Sequence, residues 1–325
     1  MTVDHPDPAN GGAKPILEPV TQKFIDDLAG SPAIHTLPPA DARAALVRLQ
    51  SQPVGKPRVQ IDDLVFPAGP SGSITARIFR PASAEVLPAV MYFHGGGWVM
   101  GDRDTHDRLV REIAVGVEAA VVFVEYSRAP EARFPVALEE AYVATRYVAD
   151  RGDALRIDPL RLAVAGDDTG GNLAAAVCLT AKERRGPRID FQALFYPVMD
   201  AGFNTPSYAS FADGPWLPRQ AMERFWDAYL PDQISRGLVS ATPLNATLDQ
   251  LRGLPEALVV VAENDVLRDE GEAYARKLSS AGVRVTSSRY SGTIHDFMML
   301  NALADTPAAR AAIAQTIGAL KTILG

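Results

Sequence analysis

Three parts of the chain carry residue types that acyl transfer requires. His94-Gly95-Gly96-Gly97 follows an apolar run, and glycines there leave backbone N–H groups free to point at one spot, as a developing oxyanion needs. Residues 166–171 read Gly-Asp-Asp-Thr-Gly-Gly between a predicted strand and a predicted helix. Asp265 and His295 each follow a later predicted strand and could supply an acid and a base. Together these residues indicate nucleophilic catalysis beside an oxyanion site.

Asp168 stands at the centre of the second segment, where the strand-to-helix turn Gly-x-Ser-x-Gly carries a nucleophilic serine. Gly166 and Gly170 have the spacing that this sharp turn requires, because its neighbours must be small. Aspartate is also a favoured helix N-cap, and Asp168 taken alone would be interpreted in that way. The glycine run upstream and the acid and base downstream favour a catalytic position instead.

His295 is the best candidate for the base among the five histidines. It follows a strand at the edge where α/β sheets place their sites, as Asp265 does. Asp265 is preferred over Asp269 because it comes first after its strand, whereas Asp269 and Glu270 are expected to cap the next helix. The other histidines lie in the N-terminal segment, between the first helices, inside the glycine run and at a helix start: His5, His35, His94 and His106.

Composition excludes several classes of function. The chain has 325 residues and a net charge of −7, which argues against nucleic acid as a partner. Its one cysteine, Cys178, rules out a disulfide within the chain and suits a reducing compartment. Residues 1–15 are polar and rich in Pro, Gly and Asp, so we expect a disordered tail and no signal peptide. No apolar run is long enough to span a bilayer, and we expect a cytoplasmic protein that binds no membrane.

Hydrophobic periodicity predicts an α/β fold. Residues 16–52 hold two amphipathic helices, and 53–325 form the main domain, in which 197–252 break the regular pattern and contribute to a helical cap. Near-continuous apolar strands alternating with helices predict a mostly parallel, eight-stranded sheet with helices on both faces. The predicted strands are 58–66, 73–80, 87–93, 120–124, 162–165, 191–196, 257–261 and 283–290, and the helices of this domain are 104–119, 135–149, 169–185, 269–281 and one from about 307.

These motifs together resemble the hormone-sensitive-lipase family of α/β-hydrolases, the bacterial HGGG esterases. The resemblance runs from about residue 15 to the C-terminus and also rests on Tyr126–Glu131 and on residues 267–270. It implies the α/β-hydrolase fold and a carboxylesterase that acts on short- to medium-chain acyl esters. It also implies a small-molecule substrate, no cofactor and no metal, and it allows a homodimer.

The resemblance implies a role for each matching position. Gly96, Gly97 and the Thr169 N–H would form the oxyanion hole, and Asp265 and His295 would complete a triad with residue 168. Asp167 would be the family's aspartate before the nucleophile. The substrate pocket is expected to be lined by aromatic residues, namely Trp98, Tyr208, Phe211 and Trp216.

Asp168 departs from this family, and it leaves three interpretations open. In the first, the chain is an esterase scaffold whose ordinary activity is largely lost, because the Asp168 carboxylate pairs with a protonated His295 and occupies the oxyanion donors. In the second, Asp168 is a covalent nucleophile that attacks sp³ carbon in epoxides or similar electrophiles. In the third, the chain is a non-catalytic protein that binds a small ligand.

Overall fold

The computed structural model describes residues 15–82 and 86–325 of the chain. The predicted disorder of 1–15 therefore falls, except for its last residue, outside the described residues.

The helices and strands alternate through most of the described chain. The strands are β1 (Gln60–Phe66), β2 (Ile74–Arg80), β3 (Leu87–Phe93), β4 (Ala120–Glu125), β5 (Ile157–Asp167), β6 (Phe191–Phe195), β7 (Glu256–Asn264) and β8 (Val285–Ile294). The α-helices are α1 (Pro19–Asp27), α2 (Pro39–Gln50), α3 (Asp107–Val117), α4 (Val136–Arg151), α5 (Asp168–Glu183), α6 (Pro206–Ser210), α7 (Arg219–Tyr229), α8 (Leu248–Leu251), α9 (Arg268–Ser280) and α10 (Pro307–Leu324).

The eight strands form one sheet in the order β1-β2-β4-β3-β5-β6-β7-β8. β2 runs antiparallel to both of its neighbours, and every pairing from β4 to β8 is parallel. The prediction of an eight-stranded, mostly parallel sheet is confirmed. Two helix pairs, α3 with α10 and α4 with α5, pack on this sheet.

The carboxyl ends of four strands bring the candidate residues to one edge of the sheet. β3 leads into the glycine run, and its neighbour β5 ends at Asp167, directly before Asp168. β7 and β8 are also neighbours and lead into Asp265 and His295. Only β6 separates the two pairs, so parallel pairing alone places the groups close together.

Several elements differ from their predicted bounds. α3 begins at Asp107 rather than 104, because the Asp102 carboxylate accepts the backbone N–H groups of Asp104 and Thr105 and holds these residues in a turn. β7 and β8 extend further than predicted, up to the residues directly before Asp265 and His295. The longer strands fix the base of the loops that carry Asp265 and His295.

The cap segment consists of short helices, which explains its weak periodicity in the sequence. Of α6, α7 and α8, only α7 is longer than one or two turns, and it buries Met222, Phe225, Trp226 and Tyr229 on one face. None of the helices in residues 15–82 and 86–325 is both long and apolar enough to cross a membrane.

Candidate active site

Asp168 lies in a tight turn between β5 and α5. Its φ is +50°, a left-handed conformation that is strained for a residue with a side chain. The turn tolerates no larger neighbours: a Cβ on Gly166 would lie 2.3 Å from the Gly170 carbonyl oxygen, and a Cβ on Gly170 would lie 2.0 Å from that of Phe93. The spacing of glycines that predicted this turn therefore has a steric cause.

The side chain of Asp168 occupies the oxyanion donors. Its Oδ2 accepts the Gly96 N–H at 2.8 Å and the Gly97 N–H at 2.9 Å. The Thr169 hydroxyl donates to the same oxygen at 3.3 Å. The other carboxylate oxygen, Oδ1, is buried and has no hydrogen-bond partner among the described residues. The carboxylate thus sits where the oxygen of a tetrahedral intermediate would be bound.

Asp168 is held in an environment that disfavours its charge. Burial raises the pKa of Asp168 above its ordinary value, since the side chain is almost completely enclosed. The positive charge of His295 and the backbone N–H groups of the oxyanion loop oppose this rise without cancelling it.

His295 and Asp265 meet at the end of β7 and β8. His295 Nδ1 lies 2.8 Å from Asp265 Oδ2, and the other oxygen of Asp265 accepts the Leu267 N–H at 2.9 Å. His295 Nε2 lies 3.6 Å from Asp168 Oδ1. The structure therefore brings the three predicted catalytic residues together, with His295 between Asp168 at the nucleophile position and Asp265 at the position of the acid.

The surroundings of His295 favour its protonated form. Burial lowers the pKa of His295, but the Asp265, Asp296 and Asp168 carboxylates outweigh burial and raise the pKa to about 10. A protonated imidazole cannot accept a proton from a nucleophile or from water, so these surroundings oppose the use of His295 as a general base.

Asp296 is a site residue that the sequence analysis did not identify. Its Oδ1 lies 3.4 Å from His295 Nε2, and its Oδ2 accepts the Trp216 indole N–H at 3.0 Å. Burial raises the pKa of Asp296 to about 6, and the neighbouring Asp168 carboxylate adds to the rise. Its position directly after His295 was the only available signal, and adjacency in the chain does not show where a side chain points.

A second buried network lies behind the glycine run. Asp167 Oδ1 accepts the Tyr92 hydroxyl at 2.7 Å and the Gly95 N–H at 3.2 Å. Its Oδ2 lies 3.1 Å from His106 Nε2, and both side chains have no exposed surface. Burial lowers the pKa of His106, but Asp167 outweighs it and the pKa is raised. This ion pair anchors the loop that carries the oxyanion donors, a role that the sequence did not reveal for His106.

Glu270 does not cap its helix, contrary to the sequence-based expectation. Its Oε1 accepts the Met199 N–H at 2.7 Å and the Asp200 N–H at 3.3 Å, so it fixes the loop after β6. The Asp269 carboxylate likewise bonds outside α9, accepting the Ser207 N–H at 2.7 Å. The side chains reach other loops because the first turn of α9 is packed against the cap segment.

An apolar cavity of about 790 Å³ opens directly above the catalytic groups. The first two helices and the loop between them supply much of its wall, and Leu217, Ala221 and Phe225 supply another part. Asp168, His295 and Asp296 line it as well. This arrangement suits a small ligand with an apolar body whose reacting group meets residue 168.

The prediction of four aromatic lining residues is wrong for three of them. Trp216 lines the cavity, but Trp98, Tyr208 and Phe211 are not in its wall. The Trp98 ring stacks on Tyr229 at 4.2 Å between centroids and is fully buried. Tyr208 packs edge-on against Phe203, and Phe211 lies under the Arg268 guanidinium. Trp98, Tyr208 and Phe211 thus pack inside the protein, and Trp216 and Phe225 are the aromatic residues that line the cavity.

The described residues contain no group of three or more His, Cys, Asp or Glu side chains that could hold a metal ion.

Comparison with known proteins shows consistent similarity. A family described as "alpha/beta hydrolase fold" matches residues 90–299. The carboxylesterase NlhH of Mycobacterium tuberculosis is 36% identical over 96% of this chain and 98% of its own length. A putative alpha/beta hydrolase of Acanthamoeba polyphaga mimivirus is 40% identical over 94% of this chain and 88% of its own. The crystal structure of a thermostable esterase from Pseudomonas putida ECU1011 superimposes with a TM-score of 0.93, at 46% identity and coverage of 97% and 99%.

Proposed function

Because this chain belongs to the hormone-sensitive-lipase-like branch of the α/β-hydrolase family, we propose that it is a hydrolase scaffold for short- to medium-chain carboxylic esters in which Asp168 stands at the nucleophile position and suppresses ordinary ester hydrolysis. The observation that carries this proposal is the position of Asp168 Oδ2 on the Gly96 and Gly97 N–H groups. The base and the acid beside it are arranged as a working triad would need.

Two features of Asp168 oppose ester hydrolysis. Its carboxylate already fills the oxyanion donors, so an ester carbonyl has no place to bind. Its attack on an ester would give a tetrahedral adduct that expels the carboxylate again, since a carboxylate is a better leaving group than an alkoxide. Loss of a triad nucleophile lowers kcat by up to about 10⁶-fold in a serine hydrolase.

Restoring serine tests this proposal. We expect Asp168→Ser to raise kcat/KM for p-nitrophenyl acetate and butyrate by at least about 10³-fold over the unmodified chain, because the oxyanion donors become free and a hydroxyl faces His295. The matched control is Asp168→Ala, which frees the same donors without supplying a nucleophile and should gain far less.

If folded Asp168→Ser, checked by circular dichroism, hydrolyses neither ester faster than Asp168→Ala, the esterase proposal fails. Hydrolysis through Asp168 and non-catalytic ligand binding would then remain, and the experiment with an epoxide below separates them.

A second candidate function has one observation in its favour. With Oδ2 anchored by two N–H groups, the unpartnered Oδ1 of Asp168 is free to attack an sp³ carbon. Opening of an epoxide would form a C–O bond to Oδ1 and break one ring C–O bond, and the resulting alkoxide would take the proton of His295 Nε2. Water, deprotonated by the now neutral His295, would then add at Cγ, release the diol and restore the Asp168 carboxylate. The described cavity wall contains no tyrosine to protonate the leaving oxygen, which places this candidate second.

Intact-mass analysis after incubation with styrene oxide distinguishes the second candidate. A mass increase of one epoxide, mapped to Asp168 and absent from Asp168→Asn, would support it. An unchanged mass together with no diol product would exclude it.

A further inference from the structure

The Nε2 atom of His295 faces two carboxylates rather than one. Asp168 Oδ1 lies 3.6 Å away and Asp296 Oδ1 lies 3.4 Å away. Both oxygens are buried, and neither has a hydrogen-bond partner within residues 15–82 and 86–325. A single N–H cannot make a good hydrogen bond to both oxygens, so the two carboxylates compete for it.

Asp296 is held in this position from two sides. Its backbone has a φ of +65°, a conformation that aspartate and asparagine adopt more readily than most residues. Its Oδ2 accepts the Trp216 N–H, and the Trp216 ring packs against Phe24 of α1 with 5.5 Å between centroids. Trp216 and Asp296 both line the cavity, so the cap and the ligand space meet at this contact.

We propose that Asp296 is a positioning residue that competes with residue 168 for the proton on His295 Nε2, and that Trp216 holds it in the competing position. The kinetic consequences rest on the proposed esterase function, whereas the competition itself can be measured in the unmodified chain.

The other groups that face His295 act differently. Asp265 contacts Nδ1 and orients the ring, and it stays in place whatever occupies position 168. The Tyr196 ring packs against the imidazole with 5.0 Å between centroids and is neutral, because burial raises the pKa of its hydroxyl well above the ordinary value. Asp167 is more distant, and its negative charge adds to the rise in the pKa of Asp296. Once Asp168 is replaced by serine, Asp296 is the carboxylate left beside Nε2.

An anion beside Nε2 has a defined effect on catalysis. It favours the imidazolium form of His295, whereas a general base must be neutral before it can accept the proton of a nucleophile. Asp296 should therefore shift the onset of hydrolysis to higher pH, and removing its charge should shift the onset to lower pH.

Nuclear magnetic resonance of the unmodified chain tests the competition without any assay of activity. The pKa of His295, about 10, would be followed by the ¹⁵N shifts of its ring, assigned by comparison with His295→Gln. We expect Asp296→Asn to lower that pKa by about one pH unit, since it removes an anion near the ring. Asparagine keeps the shape of the side chain and tolerates the left-handed backbone, so the variant should fold.

The control for this experiment is Asp305→Asn, which removes one negative charge from an exposed position nine residues beyond Asp296. It should leave the His295 titration unchanged. The proposal is overturned if the His295 titration is the same in Asp296→Asn as in the unmodified chain, or if Asp305→Asn shifts it equally.

The kinetic test uses the Asp168→Ser background. We expect Asp296→Asn to move the acid limb of kcat/KM against pH, measured with p-nitrophenyl butyrate, to lower pH by about one unit. A merely structural role would lower the rate at every pH and leave the midpoint in place, which would overturn the proposal. If Asp168→Ser is inactive, the esterase proposal fails, and the resonance experiment still decides the role of Asp296.

A second variant tests the part assigned to Trp216. Its N–H favours the charged form of Asp296, so Trp216→Phe should move the acid limb in the same direction as Asp296→Asn, but less far. In the Asp296→Asn background it should move the limb no further. An equal movement in both backgrounds, or none in either, would show that Trp216 does not act through Asp296.

Discussion

Asp167 and Asp168 are neighbours in the chain, and both accept hydrogen bonds from the glycine loop that follows β3, but their environments have opposite effects. Burial alone would raise the pKa of Asp167, but the His106 imidazolium and the Tyr92 hydroxyl outweigh it and lower the pKa. Asp168 is buried to a similar degree, and its pKa is raised.

The difference lies in how the two oxygens of each carboxylate are satisfied. Both oxygens of Asp167 have partners, and one of these is the buried His106 ring at 3.1 Å. Asp168 has donors on Oδ2, while its Oδ1 has no hydrogen-bond partner among the described residues and lies 3.6 Å from His295. A buried carboxylate is tolerated when donors surround it, and it remains destabilising when one oxygen is left bare. Asp167 is therefore well compensated where it is buried, whereas the charge of Asp168 is only partly compensated.

Replacing each aspartate by alanine should give the largest contrast. We expect Asp167→Ala to lower the free energy of unfolding by about 3 to 5 kcal/mol, because it leaves His106, Tyr92 and the Gly95 N–H buried without their acceptor. Asp168→Ala should change it by less than about 1 kcal/mol, because the lost hydrogen bonds are offset by removal of an unfavourable buried charge. Urea denaturation at pH 7 measures both, and equal losses would contradict the comparison.

The ion pair of Asp167 with His106 should make stability depend on pH. The pKa of His106 is raised on folding, so the stability that its charge contributes is fully present below its ordinary pKa of about 6.5 and is lost as pH rises through the folded value.

The difference in unfolding free energy between the unmodified chain and His106→Asn should thus be largest below about pH 6.5 and shrink at higher pH. Comparing the two proteins at each pH cancels the contribution of His295, which titrates in the same direction. A difference that grows as pH rises would show that His106 is neutral in the folded protein.

Asp168→Asn should stabilise the protein, whereas His106→Asn should destabilise it. Because the folded pKa of Asp168 is raised, the unmodified chain loses stability as pH rises from about 3.9, the ordinary aspartate value, towards the folded value. Asparagine keeps an oxygen for the Gly96 and Gly97 N–H groups and has no charge, so at pH 7 it should be more stable by about 1 kcal/mol. Thermal and urea unfolding would reveal a loss of stability instead if Asp168 were well paired.

Glu270 extends the comparison to a site without chemistry. Like Asp168, it has two backbone donors on one oxygen, and its second oxygen has no hydrogen-bond partner in the part of the chain that the structure describes. Burial raises its pKa well above the ordinary value. Glu270→Gln should therefore leave the unfolding free energy at pH 7 unchanged to within about 1 kcal/mol, the smallest of these effects. A loss of several kcal/mol would mean that Glu270 is charged and paired when buried.

The parts of the site that depend on local patterns were predictable from the sequence. The glycines at 166 and 170 and the glycine run after β3 follow from steric requirements that neighbouring residues satisfy. The periodic pattern also predicted the existence and order of β7 and β8, although both strands extend further than expected. Parallel strands then place their carboxyl ends together, so Asp168, Asp265 and His295 could be assigned to one site.

The cavity wall was not predictable in the same way. Trp98 and Trp216 are both aromatic and both have left-handed backbones, yet one is packed on Tyr229 and the other lines the cavity. Which of the two side chains reaches the cavity depends on how the short helices of the cap pack over distant parts of the chain. Such packing leaves no periodic pattern in the sequence.

The sequence by itself determined the scaffold and the identity of the group at the centre of the turn, because a residue type and its spacing fix a strand, a turn and a nucleophile position. Only the tertiary structure decided the state of that group. Whether a carboxylate is charged depends on the donors and charges within a few ångströms. For Asp167, Asp168 and Asp296 many of these come from residues 61 to 80 positions away along the chain, as the contacts of Asp167 with His106, of Asp168 with Gly96 and of Asp296 with Trp216 show.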